Sequence, residues 1–131
     1  MKESELVSVI IPSFNRRDKI LASVESVLNQ SYDNIELIVV DDASTDGTCK
    51  LFESYPDKRL RFLRYEENRG ACHARNYGAE RAAGKYLAFQ DSDDVWRPDK
   101  LEKQIKHIKA AGAQLCFCGM DRISETGSRF Y

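Results

Sequence analysis

The segment Asp91-Ser92-Asp93-Asp94 offers the most definite chemistry in this chain. One residue apart, the Asp91 and Asp93 carboxylates can converge on a single hard cation. Mg²⁺ or Mn²⁺ held by so few protein oxygens keeps positions open for substrate phosphate. Such an ion takes up the charge of a departing diphosphate as a Lewis acid. The plainer reading is a solvated turn capping the helix that begins near Pro98, because a D-x-D triplet alone is common by chance.

Other residues gain meaning from their company. Asp41-Asp42 can serve as loop acids that favour the next helix through its dipole. A carboxylate of either can equally accept the imide N–H of a uracil ring or bind a ribose hydroxyl. In Pro12-Ser13-Phe14-Asn15, Phe14 has an aromatic face on which a base can pack, although residue type alone favours the core. Arg69 and Arg75 flank the start of a small-residue helix. There guanidinium groups and backbone N–H donors can meet base or phosphate oxygens, or simply pair with nearby acids. His73 and His107 have no evident partner, and Trp96 reads as packing that steadies the acidic loop or lines a sugar pocket.

The elements around these residues follow from periodicity. Residues 6–11 and 35–40 are short, β-branched and apolar on both faces, as strands covered on both sides should be, with Pro12 ending the first. Apolar residues at spacings of three and four predict a helix over 18–29. A helix is expected to open near Thr48, and strands over 60–65 and 85–89. A small-residue helix is expected over 71–83, capped by Gly84, and another from Pro98 to Gly112. A further strand is predicted over 115–119, then a turn at Glu125-Thr126-Gly127. This alternation gives an α/β fold with a mostly parallel sheet and helices on both faces. The loops after the first, second and fourth strands then open on one sheet edge, where ligands bind. Carboxylates gathered there repel one another unless a cation or hydrogen-bond donors offset them.

Bulk properties narrow the function. At 131 residues the chain reads as a single domain, small for a complete two-substrate enzyme. Twenty basic against twenty-one acidic residues leave a formal charge of -1, which argues against nucleic acid as a partner. The longest apolar runs fall far short of the roughly 20 residues of a transmembrane helix. Without an apolar signal region, a cytoplasmic location is expected, the inner face of the membrane included. Cys49, Cys72, Cys116 and Cys118 form no C-x-x-C pair and should be reduced there. Zinc on Cys116 and Cys118 with the histidines lacks the usual ligand spacing.

Four motifs in order carry a resemblance. They are Val7-Ser8-Val9-Ile10-Ile11-Pro12-Ser13-Phe14-Asn15, the stretch from Glu36 to Thr48 with Asp41-Asp42-Ala43-Ser44-Thr45-Asp46-Gly47, Asn68-Arg69-Gly70 through Ala74-Arg75-Asn76, and Tyr86-Leu87-Ala88-Phe89-Gln90-Asp91-Ser92-Asp93-Asp94. From Val7 to about Ile108 the sequence resembles family 2 glycosyltransferases, which have the Rossmann-like GT-A fold. The resemblance implies that Pro12, Ser13, Phe14 and Asn15 line a nucleoside pocket and that Asp41 recognises the base. It implies that Arg75 and Arg69 face the nucleotide. Asp91-Ser92-Asp93 becomes the D-x-D motif, with Asp93 on Mn²⁺ or Mg²⁺ and Asp91 near the ribose or the metal. The implied reaction, in polysaccharide synthesis, is metal-dependent transfer from a nucleotide-diphosphate sugar, UDP foremost. The sugar passes with inversion to a hydroxyl of a saccharide or lipid-linked acceptor.

The family's catalytic base normally lies in the second half of the domain. The chain is therefore expected to be the nucleotide-sugar-binding half, truncated before the acceptor part. The alternative is a non-catalytic nucleotide-binding module. An unpaired sheet edge leaves a homodimer open. A nicotinamide-binding Rossmann domain would need a glycine-rich turn after the first strand, which Pro12-Ser13-Phe14-Asn15-Arg16 lacks. A receiver domain would carry its acidic pair after that same strand. Sugar-phosphate nucleotidylyltransferases would place a glycine-rich basic loop there.

Overall fold

The computed structural model describes residues 4–127 and 129–130. Its elements run β1 (Val7–Ser13), α1 (Ile20–Leu28), β2 (Ile35–Asp42), a 3-10 turn (Thr48–Leu51), β3 (Leu60–Tyr65), α2 (Ala71–Ala79), β4 (Tyr86–Phe89), α3 (Lys100–Ala111), β5 (Arg122–Ile123) and β6 (Arg129–Phe130). Four strands form a parallel sheet in the order β3-β2-β1-β4. β5 and β6 pair separately as an antiparallel hairpin around Gly127, whose φ of 84° suits a residue without Cβ.

Strand alternation divides the core in two. Val7, Val9, Ile11, Leu37 and Val39 pack with Ile20, Val24 and Val27 of α1 and Leu101 and Ile105 of α3. Ile10, Ile38 and Val40 point to the opposite face and meet Ala74 of α2. Helices therefore cover both faces, as the apolar runs of β1 and β2 require. Small residues let α2 approach closely: a Cβ on Gly78 would lie 2.8 Å from Ile10 Cγ2 and 3.1 Å from Val40 Cγ2. Gly78→Val should overpack this contact and cost about 1–3 kcal/mol, read as a lower urea midpoint at unchanged slope.

Several expectations are corrected. Pro12 does not end the first strand but lies within β1, opposite Val40. β4 pairs with β1 only as far as Ile10, so at Pro12 the other edge requires no donor. α1 and α2 are shorter than periodicity suggested, and Thr48 opens a single 3-10 turn. Gly84 does not cap α2, which closes at Glu80. Its N–H instead donates to Ser8 Oγ at 2.7 Å, where a Cβ would collide with β1. Residues 115–119 form no strand. A short apolar run becomes a strand only against a partner ladder, and among the described residues none adjoins this segment.

Candidate donor-binding site

The parallel strands place the three loops on one sheet edge. β1 ends at Ser13 beside Asp41, β2 continues to Asp42 beside Tyr65, and β4 leads into Asp91. A cavity of about 510 Å³ opens there, lined by Pro12, Ser13, Phe14, Arg16, Asp42, Asn68, Gly70, Ala71, Ala74, Arg75, Asp91, Ser92 and Asp93. Phe14 is 44% exposed, so the core reading of that ring is overturned. Ser13 Oγ is buried without a hydrogen-bond partner among the described residues.

Arginines flank the acidic pair. Arg75 Nη2 donates to Asp91 Oδ1 at 2.7 Å, and Arg16 Nε lies 3.8 Å from Asp93 Oδ2. Burial first, then the Asp91 and Asp93 charges, push the neighbouring Asp94 carboxyl above its ordinary range. Among the described residues no group of three or more His, Cys, Asp or Glu converges. Two exposed carboxylates fit an oxygen-preferring ion that completes its shell with water and phosphate better than a closed protein cage.

The two aspartates that end β2 part company. Asp41 shares the parity of Leu37 and Val39, has no exposed surface and does not line the cavity. Its Oδ2 accepts Ser44 N–H at 3.1 Å and lies 3.7 Å from Arg64. Asp42 faces α2 and lines the cavity while accepting the N–H groups of Arg69 at 2.7 Å and Gly70 at 2.8 Å. The Arg69 guanidinium turns to Glu67 at 3.4 Å instead of the cavity. Asn15, at φ 50°, spends its side chain on the neighbouring loop, Oδ1 accepting Thr45 N–H at 2.8 Å.

Sequence reasoning weighed both aspartates and settled on Asp41 through the resemblance, and it missed Arg16, Asn68 and Gly70 as cavity-lining residues and the supports beneath the acidic loop. Strand parity would have distinguished Asp42 from Asp41. The supports come from buried polar residues of α1 and the turn after it, which are costly in a core unless paired. Ser23 Oγ donates to the carbonyl of Asp94, and Gln30 Nε2 donates to that of Arg97 at 2.7 Å. Gln30 Oε1 accepts Leu101 N–H at 3.0 Å. Gln30→Ala should cost about 1–3 kcal/mol by unpairing these groups, measured by urea unfolding.

Residues 8–131 match the profile of glycosyl transferase family 2. The chain belongs to that family. TuaG of Bacillus subtilis, a putative teichuronic acid biosynthesis glycosyltransferase, is 47% identical over 94% of this chain and 50% of its own length. The family 2 chain is also similar to residues 1–349 of S. aureus TarS in complex with UDP. There the TM-score is 0.73 and the identity 32%, over 79% of this chain and 32% of that one. A mannosyltransferase from Pyrobaculum calidifontis, PcManGT in complex with GDP-Man and Mn²⁺, gives a TM-score of 0.71 at 34% identity, over 78% of this chain and 32% of that one. The fold is the GT-A fold of these enzymes, and this family 2 chain spans half the length of TuaG. Among the described residues no helix is long and apolar enough to cross a membrane.

Proposed function

We propose that the cavity binds the nucleotide diphosphate of a UDP-sugar, and that the protein transfers the sugar with inversion to an acceptor hydroxyl. The observation that carries this reading is one cavity bounded by an aromatic face, two exposed carboxylates and two arginines: Phe14, Asp91, Asp93, Arg16 and Arg75. The UDP and Mn²⁺ complexes of TarS and PcManGT support it from outside this chain.

In this reading Phe14 packs against the base, and Ser13 and Asp42 offer polar contacts at the same end. Asp42, which the cavity meets, takes the base-facing role expected of Asp41. Asp41 holds the loop through Ser44. Asp93 and Asp91 hold Mn²⁺ or Mg²⁺, which supplies Lewis-acid neutralisation of the leaving diphosphate. Once the carboxylates engage a cation, Arg16 and Arg75 are freed to face phosphate oxygens. The acceptor is a saccharide or lipid-linked hydroxyl.

Calorimetry of UDP with and without Mn²⁺ tests the site: affinity should rise with the cation, and equal affinity in its absence would refute the metal assignment. UDP-sugar turnover tests transfer. Binding without turnover by the 131-residue chain would favour the nucleotide-binding module.

A further inference from the structure

A second cavity, of about 550 Å³, lies on the other side of the loop that follows β2. It is lined by Arg17, Ser44, Thr45, Asp46, Gly47, Cys49, Lys50 and Arg64, none of which lines the first cavity. Arg64 shares the parity of Leu60 and Phe62, which pack with the α1 face, whereas Asp42 shares that of Ile38 and Val40 on the α2 face. The two cavities therefore sit on opposite sides of the sheet edge.

Its charges are unevenly matched. Arg64 lies 3.7 Å from the buried Asp41 and donates to the carbonyl of Ser44 at 3.2 Å. The Asp46 carboxylate is committed to the loop: Oδ1 accepts the Thr48 N–H at 3.0 Å and the Thr48 hydroxyl, and Oδ2 accepts the Arg17 N–H at 3.0 Å. Burial works against ionisation of Asp46, but these hydrogen bonds outweigh it and hold its carboxyl below the ordinary range. The guanidinium of Arg17 and the ammonium of Lys50 have no ion pair or hydrogen bond among the described residues. Gly47, at φ 85°, keeps the loop wall low beside Arg17: a Cβ there would reach within 3.7 Å of Arg17 Nη1. A planar fork and a compact ammonium lining one open hollow, together with Thr45, offer donors to tetrahedral oxyanions.

We propose that this second cavity is an oxyanion site for a compact phosphate-bearing ligand, separate from the donor cavity. The inference holds whether or not the donor reading does, since the two share no lining residue. A free phosphate and a lipid headgroup share this chemistry, and the vesicle arm of the test distinguishes them.

Cys49 lines the recess and reports its occupancy. Site-resolved alkylation with iodoacetamide should show Cys49 protected by inorganic diphosphate, with protection persisting in saturating UDP. The Arg17→Ala/Lys50→Ala variant should weaken diphosphate binding roughly tenfold, whereas Asp93→Asn should leave Cys49 protection unchanged. Failure of diphosphate to protect Cys49 in the unaltered chain would overturn the proposal, as would loss of protection in step with UDP occupancy, which would make the anion a donor-site ligand. Binding to phosphatidylglycerol vesicles that needs Arg17 and Lys50, without diphosphate protection, would overturn it in favour of a membrane surface. Should the double variant fail to fold, Cys49 protection in the unaltered chain decides alone.

Discussion

Asp93→Ala is expected to abolish the cation dependence of UDP binding while leaving the fold intact. Its carboxylate is 42% exposed and its only ion pair among the described residues is the 3.8 Å contact with Arg16, so folding should change by no more than about 0.5 kcal/mol. Binding should change far more. A diphosphate beside Asp91 and Asp93 without a cation brings negative charge against negative charge, with Arg16 and Arg75 the cations among the described lining residues to offset it. The expected loss of affinity in the presence of Mn²⁺ is roughly a hundredfold, about 2.7 kcal/mol. Without Mn²⁺ the variant should bind UDP no worse than the parent, since one repelling carboxylate is gone. Calorimetry at four combinations of protein and cation separates these terms. A variant that still gains affinity from Mn²⁺ would move the ion to other ligands.

The backbone arrangement was readable because it rests on apolar periodicity. The runs at 6–11 and 35–40 demand cover on two faces, and α1, α2 and α3 supply it. Parallel strands then oblige the loops at Ser13, Asp42 and Asp91 to share an edge whatever their side chains do. Side-chain direction was harder to read. Adjacent aspartates in a strand point to opposite faces, so Asp41 is sealed against Arg64 while Asp42 reaches the cavity. Phe14 looked like a core ring by type, but it sits just past the end of β1, where no layer remains to cover it. Segment 115–119 is a short apolar run without a strand, because pairing depends on a neighbour distant in sequence. The buried Ser23 and Gln30 read as breaks in an amphipathic pattern. Their use appears only when the loop from Asp91 to Pro98 is seen resting on them.

Asp42→Ala should be the most damaging single change at the site, because Asp42 works on architecture and on the cavity together. Its two oxygens accept the N–H groups of Arg69 and Gly70, fixing the chain as it turns into α2, and its carbonyl lies 3.3 Å from Asn68 Nδ2. Gly70 holds φ 88° at that entry, a conformation that needs glycine and gains nothing from the helix itself. Removing the 3% exposed carboxylate leaves two donors without their charged acceptor and should cost roughly 3 kcal/mol. The start of α2 also carries Arg75, which reaches Asp91 at 2.7 Å, so loosening that entry should weaken UDP binding as well. Asp42→Asn keeps one acceptor oxygen and should recover about half of the lost stability. Urea unfolding and UDP titration of both variants test the dual role. An alanine variant as stable as the parent but unable to bind UDP would assign the carboxylate to ligand contact alone. Loss of stability with full affinity at low temperature would assign it to the turn alone.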